Sequence, residues 1–270
     1  MTPEMHSSEF FQFETGQATD VGCVRSINED SLMSRPDFGL WAVSDGMGGH
    51  AAGDYASQTI VEHLNSVGVP ASADDLRARV MSRLTSANEI ILDHAAQLDR
   101  GTIGATLVSL LVHQDDYACL WSGDSRAYLL RAGQFVQQSR DHTEVRALLD
   151  ASTITPEEAA NWPRRNVITK AIGVSELPDV ELVTGRLAVG DVFVLCSDGL
   201  TEHLSDDDIM NIVREFPPQA ACDALVRETL ARGARDNVTV VILRCHPPLP
   251  VQIEDTEFGD TSALTAESAP

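Results

Sequence analysis

Positive charge is scarce in this sequence of 270 residues. It has 19 Lys and Arg residues against 41 Asp and Glu residues, which gives a formal net charge of −22. Nucleic-acid binding favours a clustered basic surface, and so does docking on anionic lipid. The composition therefore argues against nucleic acid and against a membrane surface as partners. An anionic substrate would also be repelled, unless bound cations reverse the field locally.

The sequence also lacks the patterns of a secreted or membrane-spanning protein. Its five cysteines are odd in number and show no Cys-x-x-Cys spacing, which favours buried, reduced thiols. Residues 1–14 contain three glutamates and no Lys or Arg, unlike the start of a signal peptide. No apolar stretch approaches the ~20 residues of a membrane span. We therefore expect a cytoplasmic protein.

What the sequence does contain is short strands in groups and helices in pairs. Helical patterns cover 54–65 and 74–98, and again 205–215 and 218–233. The strand patterns cover 10–20, 31–35, 40–44, 106–113, 117–122, 127–131, 134–139, 180–187, 192–197 and 237–244. Short connections between strands imply antiparallel pairing. The pattern predicts an α+β fold, a four-layer α/β/β/α sandwich with two central antiparallel sheets flanked by helix pairs.

The composition changes near the carboxyl terminus. We assign residues 1–246 to one domain. From Pro247 onward the sequence is acidic and has almost no hydrophobic period, so residues 247–270 are predicted to form a disordered tail. An acidic interaction segment is the alternative.

Acidic residues follow several of the hydrophobic runs. Asp45 and Asp198 each follow a buried strand pattern and precede glycine, and Glu29, Asp124 and Asp236 lie beside other strands. A lone Asp-Gly pair commonly serves a turn, and that explanation holds for each acid taken singly. Together, acids at converging strand ends would raise one another's pKa and destabilise the fold. Hard divalent cations, which take oxygen ligands, would resolve this conflict.

Eight motifs in register resemble one family. They are Gly22-x-Val24-Arg25-x-x-Asn28-Glu29-Asp30, Asp45-Gly46-Met47-Gly48-Gly49-His50, Gly104-Ala105-Thr106-Leu107, Gly123-Asp124-Ser125-Arg126, Asp141-His142-Thr143, Asn166–Gly173, Ser197-Asp198-Gly199-Leu200 and Asp236-Asn237-Val238-Thr239. In order and approximate spacing the sequence is similar to the bacterial branch of the PP2C-type (PPM) metal-dependent protein serine/threonine phosphatases. The resemblance spans residues 15–244.

The resemblance implies a set of metal ligands. Asp45 corresponds to a carboxylate that bridges two Mn²⁺ or Mg²⁺ ions, with Asp198 and Asp236 as further ligands of the first ion. Glu29 and the backbone carbonyl of Gly46 correspond to ligands of the second ion. Asp124, together with Asp198, matches the pair that holds a third, weaker ion. All-oxygen ligation suits Mg²⁺ or Mn²⁺ better than zinc.

The resemblance also implies a reaction. Arg25 matches the arginine that grips the substrate phosphate, as a guanidinium fork can. A water that bridges two cations would attack phosphorus directly and hydrolyse phosphoserine or phosphothreonine. His50 is a candidate proton donor to the leaving alkoxide. The alternative for His50 is a hydrogen bond to its own turn or to a bound water.

Supporting and neighbouring residues complete the interpretation. Thr106 and Asn237 are predicted to support the ligands or the local structure, and Asp30 is predicted to orient the ligands. Residues 141–173 correspond to a mobile flap beside the metal centre. Trp162-Pro163-Arg164-Arg165, inside the flap, is either an ordinary helix end or a docking patch for acidic protein.

We expect a monomeric enzyme that acts on phosphorylated proteins, including a cognate Ser/Thr kinase and its substrates. Two other functions stay open on the sequence alone. One is an inactive family member that binds phosphoproteins. The other is a metallo-hydrolase of small phosphate esters.

Overall fold

The computed structural model describes residues 5–7, 11–48, 52–98 and 102–248. Its strands form two antiparallel sheets. The first sheet has the order β1-β2-β12-β11-β8-β9, and the second has the order β10-β7-β6-β4-β3, with β5 paired to β4. The strands are β1 (Met5–Ser7), β2 (Gln12–Asp20), β3 (Asp30–Arg35), β4 (Leu40–Met47), β5 (Gly104–Ala105), β6 (Leu107–His113), β7 (Asp116–Ser122), β8 (Arg126–Arg131), β9 (Gln134–Gln137), β10 (Glu181–Arg186), β11 (Val192–Cys196) and β12 (Val238–His246).

Helix pairs cover the outer face of each sheet. The helices are α1 (Gly53–Asn65), α2 (Ala73–Leu98), α3 (Glu144–Asp150), α4 (Pro156–Ala160), α5 (Asp198–Thr201), α6 (Asp206–Glu215) and α7 (Pro218–Ala231). One apolar cluster joins α1 and α2 to the second sheet, and another joins α6 and α7 to the first sheet. The predicted four-layer α/β/β/α sandwich is therefore confirmed.

The inner strands are buried on both faces, which explains their continuous hydrophobic runs. In β11, Phe193 and Leu195 point into the cluster between the sheets, whereas Val192, Val194 and Cys196 face α6 and α7. The same alternation in β4 sends Trp41 and Val43 between the sheets. Side chains from both sheets thus fill one layer, which fixes the ends of the central strands relative to each other.

Helix starts follow local capping chemistry. Thr155 and Ser205 each form a reciprocal capping box at the start of α4 and α6, so the acids 206–208 belong to the first turn of a helix. Within the described ranges, no helix combines the length and apolarity needed to cross a membrane. The predicted tail lies almost wholly outside the described residues.

Candidate active site

A cleft of about 270 Å³ opens where strands of the two sheets end side by side. It brings together all the predicted site residues that the structure describes. Its lining consists of Arg25, Glu29, Asp45, Gly46, Met47, Gly48, Thr106, Asp124, Asn166, Ile168, Asp198 and Asp236. His50 lies outside the described residues, so its role stays a prediction.

Asp45 lies within a strand, and here the sequence interpretation was wrong. The strand β4 continues past Asp45 to Met47, and Gly46 and Met47 pair with β5. The Asp45 amide donates to Thr106 Oγ1 at 3.0 Å, and the Thr106 amide donates to the Asp45 carbonyl at 2.8 Å. Thr106 therefore fixes both backbone polar groups of Asp45.

Gly46 allows two other segments to approach β4. A methyl group on Gly46 would overlap the Gly53 carbonyl at the start of α1 and lie 2.6 Å from the Glu29 carbonyl. The Gly46 amide donates to that Glu29 carbonyl at 3.1 Å, and Ser57 of α1 donates to it at 2.6 Å. Glycine at this position therefore holds Glu29 beside Asp45.

Asn237 holds the opposite side of the Glu29 segment. Its side-chain amide donates to the Val21 and Ile27 carbonyls at 2.9 and 3.0 Å, and its side-chain oxygen accepts from the Glu29 amide at 2.8 Å. Because Asn237 directly follows Asp236, one residue connects two of the predicted ligands. This confirms that Asn237 is a supporting residue.

Asp198 begins a helix rather than ending a strand. After β11 the chain passes through Ser197 into the short helix α5, whose first residue is Asp198. A methyl group on Gly199 would overlap the Asn237 carbonyl. Ser197 donates from Oγ to Asp30 Oδ2 at 2.8 Å and accepts from the Thr239 amide at 3.0 Å. This short network ties the Asp198 segment to both sheets.

Asp124 lies in the turn between β7 and β8. The preceding Gly123 has φ of 106°, a conformation that glycine adopts without strain. The Gly123 amide donates to His142 Nδ1 at 3.1 Å, and the His142 amide donates to the Gly123 carbonyl at 2.9 Å. Nearby, Arg126 makes a forked ion pair with Asp141 at distances of 2.6 to 3.1 Å. The start of the predicted flap is therefore bonded to the Asp124 turn.

The clustered carboxylates disfavour one another's ionisation. Burial, followed by the charges of Asp30, Asp198, Asp124 and Asp236, raises the pKa of Asp45 well above its usual range. Burial and then the charge of Asp124 likewise raise the pKa of Asp198. Burial and the charge of Asp141 raise the pKa of Asp124 to about 7. The mutual repulsion that the sequence predicted is present in the folded protein.

Asp30 faces Asp45 across the β3–β4 pair. Burial raises the pKa of Asp30 to about 6, although a hydrogen bond from Ser197 favours the charged form. Its second oxygen, Oδ1, is buried without a hydrogen-bond partner, and so is Glu29 Oε1. Unpartnered buried carboxylate oxygens are costly unless something positive neutralises them.

Arg25 is the cation of the cleft. It donates to Asp236 Oδ2 at 2.6 Å, while half of its side chain remains exposed. The hydrogen bond to Asp236 and the charges of Asp236, Glu29 and Asp45 together raise its pKa. The guanidinium thus lies between the predicted ligands and solvent, with nitrogen atoms left for another anion.

The flap supplies residues that the sequence did not single out. Asn166 lines the cleft and donates to Glu202 of the α5 carboxyl end at 2.6 Å. Ile168 lines the cleft beside it, and Met47 adds a second apolar side chain. The motif around Asn166 could have indicated the first of these, but nothing in the sequence marked Glu202. Within Trp162–Arg165, which the sequence left as either a helix end or a docking patch, Arg164 pairs with Glu144 at 2.9 Å.

The chemistry of these donors fits hard divalent cations. The acids of the cleft offer oxygen ligands, Glu29 Oε1 and the neighbouring Asp30 Oδ1 are buried without hydrogen-bond partners, and the acids raise one another's pKa. The acids do not by themselves form a closed shell. Throughout the described part of the chain, no group of three or more His, Cys, Asp and Glu side chains has the geometry of a metal site. Backbone oxygen and water would have to complete the coordination.

Comparison with models of known protein families identifies the family of this chain. A model for protein phosphatase 2C matches residues 8–147 and 156–238, well over half of the chain. The chain belongs to the PP2C family.

Relatives of this PP2C domain cover most of its length. Serine/threonine protein phosphatase PstP of Mycobacterium tuberculosis is 34% identical over 252 residues, which are 92% of this chain and 46% of PstP. The chain thus spans about half the length of that relative.

Two solved structures share the fold. PppA, described as a key regulatory component of T6SS in Pseudomonas aeruginosa, has a TM-score of 0.81 at 36% identity, covering 89% of this chain and all of PppA. The catalytic domain of PstP in complex with two manganese ions has a TM-score of 0.78 at 33% identity, covering 87% and 98%. A relative with the same PP2C fold therefore holds two manganese ions.

Proposed function

We propose that this PP2C domain is a metal-dependent protein serine/threonine phosphatase. The observation that carries the proposal is one cleft that combines five acids with one arginine. The acids supply hard oxygen ligands, and the arginine supplies a fork for phosphate. Family membership supports the same activity. Phosphoserine and phosphothreonine in proteins are the proposed substrates.

The predicted assignment of ligands is kept in this proposal. Asp45, Asp198 and Asp236 would hold one ion, and Asp45, Glu29 and the Gly46 carbonyl would hold a second. Asp124 and Asp198 would hold a third, weaker ion. When bound, Mn²⁺ or Mg²⁺ supplies positive charge and activates water for attack on phosphorus.

The protein's own residues perform the other tasks. Thr106 and Asn237 keep Asp45 and Glu29 in place through backbone hydrogen bonds, so that the carboxylates need little rearrangement. Arg25 orients the phosphate and offsets its charge. If the ion pair between Arg25 and Asp236 opened, Arg25 would be available to bind the phosphate and Asp236 to bind a metal ion. His50 remains our candidate for protonating the leaving oxygen.

The proposal extends to partners and location. We place a monomeric enzyme in the cytoplasm, opposite a Ser/Thr kinase whose substrates it dephosphorylates. Four of the five free cysteines are buried, which is compatible with a reducing compartment. Neither nucleic acid nor a membrane is a proposed partner.

Hydrolysis of p-nitrophenyl phosphate tests the activity. We expect turnover with added Mn²⁺ and none with EDTA, and we expect Asp45→Ala and Asp236→Ala to abolish it. Activity retained in either variant would refute the ligand assignment. Arg25→Ala should mainly raise KM for a phosphopeptide, because it removes a phosphate contact. An unchanged KM would remove Arg25 from phosphate binding.

The same assays separate the two alternatives. An inactive phosphoprotein-binding module would bind phosphopeptide but hydrolyse neither substrate with any metal. A hydrolase of small esters would show a much higher kcat/KM for small phosphate esters than for phosphopeptides. The complete set of acids in the cleft favours the active enzyme.

A further inference from the structure

An exposed apolar surface flanks the arginine of the cleft. Val24 and Ile27 lie on either side of Arg25 in the chain, with exposed fractions of 69% and 46%. Neither lines the cleft itself. Ile27 is tied to the residue after Asp236 through its carbonyl. The two aliphatic residues therefore belong to the loop that brings Arg25 to the cleft, but they are not part of the cleft lining.

The loop that carries them is held in place. The Gly22 amide donates to Asp20 Oδ1 at 2.8 Å, and the Cys23 amide donates to the Ala234 carbonyl at 2.8 Å. Asn237 holds the carbonyls at both ends of the loop. Gly22 has φ of 79°, and a methyl group there would overlap the Asp236 carbonyl. A loop with these anchors presents Val24 and Ile27 persistently to solvent.

The charge of Arg25 determines which kind of ligand this loop favours. The side chain of Arg25, which lies between Val24 and Ile27 in the sequence, is half exposed, and its charge attracts a phosphate group. Away from the metal ligands, the net charge of −22 disfavours additional carboxylates. A segment that places phosphate on Arg25 would lay its neighbouring residues on Val24 and Ile27, where apolar side chains bury area and acidic ones meet an unfavourable field.

We propose that Val24 and Ile27 are specificity-determining residues that select phosphorylated segments with apolar side chains next to the phosphorylated residue. This inference rests on the proposed phosphatase function. It assigns to the Arg25 loop a second task besides phosphate binding, namely contact with the peptide on either side of the phosphate. Each contact is small, because a single aliphatic side chain offers little apolar area.

Three phosphothreonine pentapeptides test the proposal. They carry leucine, serine or glutamate on both sides of the phosphothreonine and are otherwise identical. With Mn²⁺ present, kcat/KM of the wild-type protein should be about 3- to 10-fold higher for the leucine peptide than for the serine peptide, and lowest for the glutamate peptide. Val24→Ser and Ile27→Ser should each reduce the preference for leucine, mainly through KM, and together they should reduce it below about twofold.

Val69→Ser and Val189→Ser are matched controls. Both valines are exposed, at 76% and 61%, and neither belongs to the cleft or to the Arg25 loop. These variants should keep the wild-type preference. A wild-type protein without preference for leucine, or a double variant that keeps the preference, would overturn the proposal.

p-Nitrophenyl phosphate distinguishes this failure from failure of the proposed function. It has no residues beside the phosphate, so its hydrolysis reports on the metal centre and on Arg25. No Mn²⁺-dependent hydrolysis by the wild-type protein would refute the phosphatase function itself. An equal loss for this substrate and for the leucine peptide in Val24→Ser would overturn only the specificity role, because it would mean that Arg25 had been displaced.

Discussion

The two Asp-Gly pairs of the cleft look alike in sequence but lie in different structures. Asp45-Gly46 lies inside β4, which pairs at this point with β3 on one side and with β5 on the other. Asp198-Gly199 begins the four-residue helix α5 after β11 has ended. The common explanation, a carboxylate at a turn, therefore describes only the second pair.

What the pairs share is the use of glycine for close approach. Neither Gly46 nor Gly199 has the positive φ that would require glycine. A side chain on Gly46 would overlap the start of α1 beside Glu29, and one on Gly199 would overlap Asn237, next to Asp236. Each glycine thus admits the backbone of a segment that carries another acid. In each pair, the glycine lets the segment of its own Asp pack against a segment that carries another acid.

Substituting either glycine should disrupt the close approach between the two segments that carry the acids. Gly46→Ala and Gly199→Ala should each lower Mn²⁺-dependent turnover by more than about 100-fold, because an error of about 1 Å in the placement of catalytic groups costs that much. Both should also lower the melting temperature, since the overlap is with backbone that cannot rotate away. Turnover and thermal unfolding are measured on the same preparations.

Gly68→Ala is the control for the glycine variants. A methyl group there meets only the end of the Arg79 side chain at 3.7 Å, and no positive φ is involved. Its turnover should equal that of the wild type. If Gly46→Ala or Gly199→Ala matched this control, glycine would not be what brings the acids together.

The sequence predicted the layers and the acids because both depend on local signals. Buried strands appear as hydrophobic runs, and the helix starts at Thr155 and Ser205 have the side chains that cap them. It did not predict α3 or α5, since helices of seven and four residues carry too little periodicity.

The support of the cleft was only partly predictable for a related reason. Ser197 meets Asp30 across 167 positions, and Ser57 meets the Glu29 carbonyl across 28. Such contacts follow from how the two sheets pack, which no short window of sequence contains. Thr106 and Asn237 were identified as supporting residues only because they lie inside recognised motifs.

A smaller effect follows from the raised pKa values. In the folded protein, Asp30 stays protonated up to about pH 6 and Asp124 up to about pH 7. In the unfolded protein, both acids ionise near pH 4. Their stabilising effect is therefore complete below about pH 4 and is lost as the pH rises through 6 to 7. In EDTA, the melting temperature should fall between pH 5 and pH 8.

Mn²⁺ should reverse that loss, because it binds the ionised carboxylates and only the folded protein assembles them. The difference in melting temperature between Mn²⁺ and EDTA should accordingly be several degrees larger at pH 8 than at pH 5. A difference that does not change with pH would mean that the buried acids are not the groups that bind the ion. Circular dichroism during heating measures both series.

The smallest predicted effect separates the two Asp-Gly pairs by their neighbours. Among charged groups, Asp30 is the strongest influence on the pKa of Asp45, whereas Asp124 and Glu202 lead for Asp198. Asp30→Asn and Glu202→Gln each remove one charge and keep an oxygen that can accept the existing hydrogen bond from Ser197 or Asn166.

Both variants should raise the free energy of unfolding of the metal-free protein at pH 8, Asp30→Asn by about 1 kcal/mol and Glu202→Gln by less. Asp30 should matter more because it is buried opposite Asp45. Urea unfolding in EDTA measures the two values, and a larger gain from Glu202→Gln would place the main electrostatic strain at α5 instead of at β4.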